Sequence, residues 1–224
     1  MLTPTSTRCL IPVYDPRGDL GTVATPLAPR PKTLHGLRLG ILDNSKWNAN
    51  KLLRGTSAVL GKSIMFGDIR YYVKHSFSKD AAPDLIAEIA RNSDIVLTAI
   101  GDCGSCTSCC IRDAVALEQR GTPTAVVVTT EFVRETELQR RALGMDELLP
   151  IIIRHPVSSI TDAEIAERVE QICAQAPAVW LGRRLDRAND HLSTSRDADA
   201  VATGHPGPDD EAAFNALAFA ACQP

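Results

Sequence analysis

The sequence of 224 residues contains no apolar run that approaches the ~18 residues of a membrane-spanning helix. It also has no excess of basic residues, because the 24 lysines and arginines are outnumbered by 27 acidic residues and the formal net charge is −3. The start of the chain, Met1 to Arg8, has no apolar block of the signal-peptide type. These absences argue against a membrane protein and against a nucleic-acid-binding surface, and we expect a cytoplasmic protein.

The overall composition is that of a soluble globular protein, with 44% hydrophobic and 23% charged residues. Residues 1–31 are rich in proline, threonine and glycine, and we expect an extended N-terminal arm there. Residues 181–224 are mostly polar, and we expect a flexible tail that ends in a short amphipathic helix. Such a helix can dock on a second copy of the chain, which would give a homo-oligomer. Residues 32–180 remain as the expected catalytic domain.

Within this domain, short β-branched runs alternate with helical segments five times. The predicted strands are 38–43, 69–73, 93–100, 124–129 and 149–153. Pro177 is predicted to end the last helix, which starts at Thr161. This alternation predicts an α/β fold, with an open, mostly parallel five-stranded sheet and helices on both faces, as in Rossmann-type and flavodoxin-like three-layer proteins. The sequence does not indicate the strand order.

Four of the seven cysteines lie between the third predicted strand and a helix predicted over 108–120. They are Cys103, Cys106, Cys109 and Cys110. At such a junction the positive end of the helix dipole favours an anion such as a thiolate. This setting lowers a thiol pKa from ~8.5 to between ~3.5 and 7.5. In the Cys-x-x-Cys pair, Cys103 is the expected nucleophile, and Cys106 can attack the adduct and close a disulfide.

Small and hydroxylic residues surround this pair. Gly101 and Gly104 are expected to let the backbone turn tightly and approach a ligand closely. Ser105 and Thr107 are expected to cap the helix. We therefore expect this turn to contribute to substrate binding as well as to carry the reactive sulfur.

Polar side chains at the ends of the predicted strands converge on the same edge of the sheet. They are Asn44, Lys46, Asn48, Asp102, Thr129, Glu131, Arg154 and His155. Lys46 and its neighbouring asparagines can hold a substrate carboxylate or phosphate, although cap and turn chemistry explains the same residues. His155 or Glu131 can serve as general acid or base. One convergent pocket is the result that we expect.

The stretch Gly101-Asp102-Cys103-Gly104-Ser105-Cys106 resembles the motif of the UGSC-motif family, small bacterial proteins some of which carry selenocysteine. Cys103 stands at the selenocysteine position. The resemblance continues in segments around Leu27–Arg30, Gly40–Ala49, Glu118–Pro123 and Thr130–Phe132, and at His155-Pro156. The motif is also distantly similar to that of the selenium-bearing subunits of the glycine, sarcosine and betaine reductases.

This resemblance implies reductive chemistry on a small molecule, with Cys103 as the reactive atom and Cys106 as its resolving partner. The family pattern has tryptophan and histidine where this chain has Cys109 and Arg112, and Arg112 can stabilise a thiolate or bind an anionic substrate. The expected catalytic residues are Cys103, Cys106, Asp102, His155 and Glu131. The expected substrate-binding residues are Asn44, Lys46, Asn48, Gly104, Ser105, Thr107, Arg112 and Thr129.

Three interpretations remain open at this point. The first is a thiol oxidoreductase without a bound cofactor, which an external thiol of the thioredoxin or glutathione type reduces. The second is covalent cysteine catalysis without net redox change, as in a lyase, transferase or hydrolase. The third is a site for zinc, copper or an iron–sulfur cluster, formed by Cys103, Cys106, Cys109 and Cys110. For Cys109, Cys110, Cys173 and Cys222, simple packing is the favoured interpretation.

Overall fold

The structure is a computed structural model that describes residues 23–183, and every structural statement below concerns this part of the chain. Most of the predicted N-terminal arm and nearly all of the predicted tail, including its helix, lie outside the described residues. Residues 23–31 contain no helix or strand. No helix within 23–183 is both long enough and apolar enough to cross a membrane.

Five parallel strands form one sheet in the order β2-β1-β3-β4-β5. The strands are β1 (Arg38–Asp43), β2 (Asp68–Val73), β3 (Ile95–Gly101), β4 (Thr124–Thr129) and β5 (Ile151–Ile153). The helices are α1 (Ala49–Ser63), α2 (Pro83–Asn92), α3 (Gly104–Glu118), α4 (Val133–Ala142) and α5 (Asp162–Trp180), with a 3-10 turn at Thr130–Phe132. The predicted three-layer α/β fold is confirmed.

Helices cover both faces of the sheet, because α1 and α5 pack together on one face while α2, α3 and α4 pack on the other. Every residue of β3 and β4 is buried, as expected for central strands that are covered on both sides. The edge strand β2 is only partly covered. Apolar side chains of α3 and β4 form a core cluster that includes Ile111, Val115 and Val128. The cysteine-bearing helix is therefore fixed on the sheet along its length.

Two helix boundaries differ from the sequence prediction. Helix α3 begins at Gly104 rather than at Ser108, so three of the four clustered cysteines lie within it. Helix α5 continues through Pro177 to Trp180. A proline inside a helix costs ~3 kcal/mol, but the buried Trp180 donates its indole N–H to the Val96 carbonyl at 2.8 Å. Tertiary packing of this last turn outweighs the local signal.

The strand order creates a crevice between the loops that follow β1 and β3. From β1 the chain passes to α1 on one face, and from β3 it passes to α3 on the other face. In sheets of this order, the carboxyl ends of the first and third strands are the place where ligands bind. The crevice brings together the segment after Asp43 and the segment after Gly101.

Candidate functional site

Cys103 is the N-cap residue of α3. Its sulfur accepts a hydrogen bond from the Cys106 backbone N–H at 3.3 Å. Its carbonyl accepts hydrogen bonds from the Thr107 N–H at 2.9 Å and from the Thr107 hydroxyl at 2.8 Å. The prediction that Ser105 or Thr107 caps this helix is wrong, because the helix starts earlier and both residues lie inside its first turn. The reactive sulfur is itself the cap, so the helix N-terminus is directed at it.

Cys103 and Cys106 form a disulfide, with their Cα atoms 5.3 Å apart. The two residues differ in access to solvent. Cys103 is partly exposed, beside the exposed Gly104 and Ser105. Cys106 is 0% exposed. Cys103 is therefore the residue of the pair that an external molecule can approach, whereas Cys106 is closed to solvent.

The two glycines of the motif have different roles. A Cβ on Gly101 would lie 2.8 Å from the Thr107 hydroxyl oxygen and 3.1 Å from a Val128 methyl carbon. The close approach that Gly101 permits is therefore between β3 and the first turn of α3, and not between the backbone and a ligand. A Cβ on Gly104 would meet nothing within 4 Å. This position leaves open space beside Cys103.

Lys46 extends from the loop after β1 to the cysteine pair. Its Nζ lies 3.2 Å from Asp102 Oδ1 and 3.4 Å from Cys106 Sγ. It also lies 5.0 Å from the centre of the Phe77 ring, within the range of a cation–π interaction. The Lys46 and Asp102 side chains are 16% and 2% exposed, so this charge pair is largely removed from water. Lys46 binds residues of the site itself, rather than being held free for a substrate anion.

Asp102 is held from the opposite side by the loop that follows β5. Its Oδ2 accepts a hydrogen bond from the Ser158 hydroxyl at 2.8 Å. Its Oδ1 faces Lys46 but receives no hydrogen bond of good geometry within the described residues. The 3.2 Å contact with Lys46 is an ion pair, because a charge attraction depends on distance more than on angle. Sequence reasoning missed Ser158, since a single serine in a loop carries no distinctive pattern.

The asparagines near Lys46 connect structural elements. The Asn44 side chain is fully buried and donates hydrogen bonds to the Ile100 carbonyl at 3.0 Å and to Cys110 Sγ at 3.4 Å. Asn44 therefore joins β1 to β3 and α3, and its side chain does not line the cavity beside Lys46. Asn48 has a φ of 64° and donates to the Val157 carbonyl at 2.8 Å. Asn44 also makes a turn contact, because its Oδ1 accepts the Lys46 backbone N–H at 3.2 Å, whereas Asn48 occupies the N-cap position of α1 without a capping bond from its side chain.

A cavity of about 480 Å³ lies beside the N-terminus of α1. Its lining residues are Asp43, Ser45, Lys46, Trp47, Asn48, Asn50 and Lys51. The lining is polar except for Trp47, whose side chain is mostly exposed. Lys46 both lines this cavity and contacts the cysteine pair, so the cavity adjoins the site.

His155 and Thr129 meet on the β4–β5 side. The Thr129 hydroxyl lies 3.0 Å from His155 Nδ1 and 3.5 Å from the Gly101 carbonyl oxygen. The Phe132 ring packs against the imidazole, with the ring centroids 5.9 Å apart. Glu131 is exposed in the 3-10 turn. His155 is thus connected through Thr129 to the end of β3, two residues before Cys103.

Arg112 is not brought to the cysteine pair. It lies nine positions after Cys103, about 13 Å along a helix. Its Nε contacts both carboxylate oxygens of Asp80, at 2.8 and 2.9 Å, and its NH2 donates to Cys109 Sγ at 3.3 Å. These contacts hold the guanidinium group beside Asp80 and Cys109.

The four-cysteine metal site is not assembled. Within residues 23–183, the potential ligand atoms found within 4.8 Å of one another belong to Asp102, Cys103 and Cys106. Cys109 and Cys110 are buried free thiols outside this group. Burial raises the pKa of both, that of Cys110 to about 12. Cys109 and Cys110 follow Cys106 by three and four residues along one side of the helix, and the rise of about 1.5 Å per residue spreads their sulfurs along the axis instead of bringing them to one point.

A comparison with protein families matches residues 12–182 to the model described as the UGSC family. A search of the curated proteins finds no match. The comparisons do not show the expected similarity to the selenium-bearing reductase subunits, which stays a prediction. The family match spans most of the sequence and contains the whole segment from β1 to α5. The chain therefore belongs to the UGSC family.

Proposed function

We propose that this protein is a cysteine-dependent enzyme, a thiol oxidoreductase in which Cys103 attacks a small electrophilic substrate and Cys106 resolves the adduct. The observation that carries this proposal is the asymmetric pair at the start of α3. One cysteine caps the helix with its sulfur and is partly exposed, and the cysteine bonded to it is fully buried. A nucleophile needs access and a stabilised thiolate, whereas a resolving thiol needs only to reach the first sulfur.

The reaction begins with both cysteines reduced. The Cys103 thiolate attacks an electrophilic atom such as a peroxide oxygen, a disulfide sulfur or an activated carbon bonded to a heteroatom. The leaving group departs with the bonding electron pair and takes up a proton. Cys106 then loses its proton and attacks the Cys103 sulfur to form the disulfide, and the displaced group leaves with the electron pair of its bond to sulfur and takes up a proton. Two electrons pass to the substrate, and two external thiols restore them.

His155 and Glu131 are the proposed general acid or base, and Asp102 is the proposed partner of Lys46. The connection from His155 through Thr129 to Gly101 supports a role near the leaving group. The cavity beside Lys46 supports a small polar substrate. We propose no bound cofactor. A reductant of the thioredoxin or glutathione type, as in a reducing cytoplasm, would complete the cycle.

The test uses the full chain with its cysteines reduced, treated separately with one equivalent of hydrogen peroxide and of oxidised glutathione. Mass spectrometry should find the Cys103–Cys106 disulfide as the main product with at least one oxidant. Cys106→Ser should stop at an adduct on Cys103, and Cys103→Ser should not react at Cys106. Cys173→Ser is the matched control, because Cys173 is a free thiol on α5 away from the pair, and it should behave like the wild type.

If the wild type forms no Cys103–Cys106 disulfide with either oxidant, the redox function is wrong. If Cys106→Ser keeps activity on a substrate without an external reductant, covalent catalysis without net redox change replaces the redox function.

A further inference from the structure

The Lys46 ammonium group is placed against one sulfur of the pair and not between the two. Its Nζ lies 3.4 Å from the sulfur of Cys106, the buried member. The sulfur of Cys103 instead receives the backbone N–H of Cys106 and lies 3.7 Å from the Ser105 hydroxyl. The two sulfurs are therefore stabilised by different groups, a side-chain cation for Cys106 and a helix N-terminus for Cys103.

We infer that Lys46 is a catalytic residue of the reductive half-reaction, because it stabilises the thiolate that leaves on Cys106 when a reductant attacks Cys103. This inference rests on the proposed thiol oxidoreductase function and adds a direction to it. Cys103 becomes the entry point for the external thiol, and Cys106 becomes the leaving sulfur. The sequence suggests a different role for Lys46, the binding of a substrate anion.

The surroundings of Lys46 hold the ammonium group in place. Asp102 Oδ1 lies 3.2 Å from Nζ on one side, and the Phe77 ring lies below it at 5.0 Å. Asp102 is in turn fixed by the Ser158 hydroxyl. The titratable and charged groups in contact with Lys46 Nζ are thus Asp102 and the Cys106 sulfur. Asp102 is a positioning residue, since it touches the cation rather than the reacting sulfurs.

The exchange step balances in the following way. The thiolate of an external thiol attacks Cys103 Sγ and forms a mixed disulfide with it. The Cys103–Cys106 bond breaks, and its electron pair moves to Cys106 Sγ, beside the Lys46 ammonium group. A second external thiolate attacks the external sulfur of the mixed disulfide. This releases the oxidised external disulfide and the Cys103 thiolate, so two thiols supply two electrons.

The experiment measures the equilibrium of the full chain with mixtures of reduced and oxidised glutathione, with the disulfide fraction read by mass spectrometry. Lys46→Met removes the cation near the leaving sulfur and should make the disulfide about tenfold harder to reduce, a shift of about 30 mV for a two-electron couple. Lys46→Arg keeps the charge, so its disulfide should be reduced almost as readily as that of the wild type. The matched control is Lys62→Met, which removes an exposed lysine in the last turn of α1 and should leave the equilibrium within twofold.

A second variant separates charge stabilisation from a purely structural role. Asp102→Asn keeps the ammonium group and removes the carboxylate that competes for it, so its disulfide should be reduced at least as readily as that of the wild type. If Lys46 and Asp102 only hold the fold together, both variants should shift the equilibrium in the same direction. That result, or an unchanged equilibrium in Lys46→Met, would overturn the inference.

These measurements use glutathione and no substrate, so a negative result for Lys46 can be distinguished from a failure of the proposed function. A wild type whose cysteine pair oxidises normally, together with an unaltered Lys46→Met equilibrium, would reject the role of Lys46 and retain the oxidoreductase.

Discussion

The backbone N–H of Cys106 donates a hydrogen bond to the sulfur of Cys103 at 3.3 Å, so the nucleophile caps the helix through the backbone of its resolving partner. The donor belongs to the first turn of α3, whose N–H groups have no partner within the helix. We expect the same N–H to remain directed at the Cys103 thiolate when the disulfide opens, because the backbone of the first turn of α3 holds it. Because this contact stabilises the Cys103 thiolate, we expect Cys103 to be the most reactive cysteine of the reduced protein.

The first prediction concerns selective alkylation of the reduced protein. Sub-stoichiometric iodoacetamide at pH 7 should label Cys103 before any other cysteine, as read by peptide mass spectrometry. Cys173 is the matched comparison, because it is also partly exposed. Burial raises the pKa of Cys173 to about 11. At pH 7 only about one Cys173 side chain in ten thousand is then a thiolate.

The pH dependence provides the control for this prediction. A thiol with a raised pKa stays protonated at neutral pH, so labelling of Cys173 should be slow at pH 7 and should become about tenfold faster for each pH unit until the pH approaches 11. Labelling of Cys110 should be slower still at each pH, since burial raises the pKa of this thiol to about 12. Labelling of Cys173 at pH 7 as fast as that of Cys103 would contradict the assignment of the nucleophile.

The two motif glycines give the second prediction. Gly101→Ala places a methyl group 2.8 Å from the Thr107 hydroxyl oxygen, so the start of α3 must shift. We expect a loss of ~1–3 kcal/mol in the free energy of unfolding, as for other overpacked sites. Gly104→Ala meets nothing within 4 Å and should stay within ~0.5 kcal/mol of the wild type. Urea unfolding measures both, and equal losses would refute this difference.

Much of the fold could be predicted from the sequence because its signals are local. The alternation of buried strands and amphipathic helices gives five parallel strands, with boundaries close to those observed. The strand order could not be predicted, since no local pattern records which strands become neighbours. The start of α3 was also missed. A glycine usually interrupts a helix, and a cysteine is not among the common N-cap residues.

The sequence predicts those residues of the site that directly follow a strand, because the carboxyl ends of parallel strands lie at one edge of the sheet. Lys46, Asp102 and Cys103 follow β1 and β3 and meet at the crevice between them. The sequence suggests that Arg112 lies beside the thiolate, but its side chain extends to Asp80 instead. The partner of its guanidinium, Asp80, lies far away in the sequence. Side-chain direction depends on such distant partners, so sequence proximity to Cys103 does not determine it.

The third prediction concerns the buried ion pair between Lys74 and Asp113, a residue of α3. Lys74 Nζ contacts Asp113 Oδ2, and both side chains are almost completely buried. Asp113 Oδ1 accepts the Ala81 N–H at 2.8 Å. Lys74→Met leaves the Asp113 carboxylate buried without its cation and should cost ~3–5 kcal/mol. Thermal and urea unfolding measure this loss.

Lys79→Met is the control for this pair, because Lys79 is exposed in the same loop. It should change the free energy of unfolding by less than ~0.5 kcal/mol. A loss in Lys74→Met no larger than that in Lys79→Met would show that the buried pair does not stabilise the fold. The double variant Lys74→Met/Asp113→Leu should recover part of the loss, since it removes the unpaired charge.

The fourth prediction concerns Glu118, which connects the segment before β1 to the core. Its side chain is 0% exposed. Its carboxylate accepts hydrogen bonds from the Ala28 N–H at 2.8 Å, the Arg30 guanidinium at 2.8 Å and the Thr124 N–H at 2.7 Å. Glu118→Ala removes one acceptor group from three donors, each worth ~1.5–3 kcal/mol when the acceptor is charged. We expect a loss of at least ~3 kcal/mol, measured by urea unfolding.

Glu88→Ala, at an exposed position on α2, is the control for charge and helix propensity. It should cost less than ~0.5 kcal/mol. Proteolysis of folded protein adds a local measurement, because loss of the Glu118 contacts should make the chain around Ala28 and Arg30 easier to cleave than the core strands. If Glu118→Ala is no less stable than Glu88→Ala and no more easily cleaved there, the carboxylate does not fix this segment. The segment would then have to be held by other contacts, such as the 2.7 Å hydrogen bond from the Thr25 N–H to the Gly144 carbonyl.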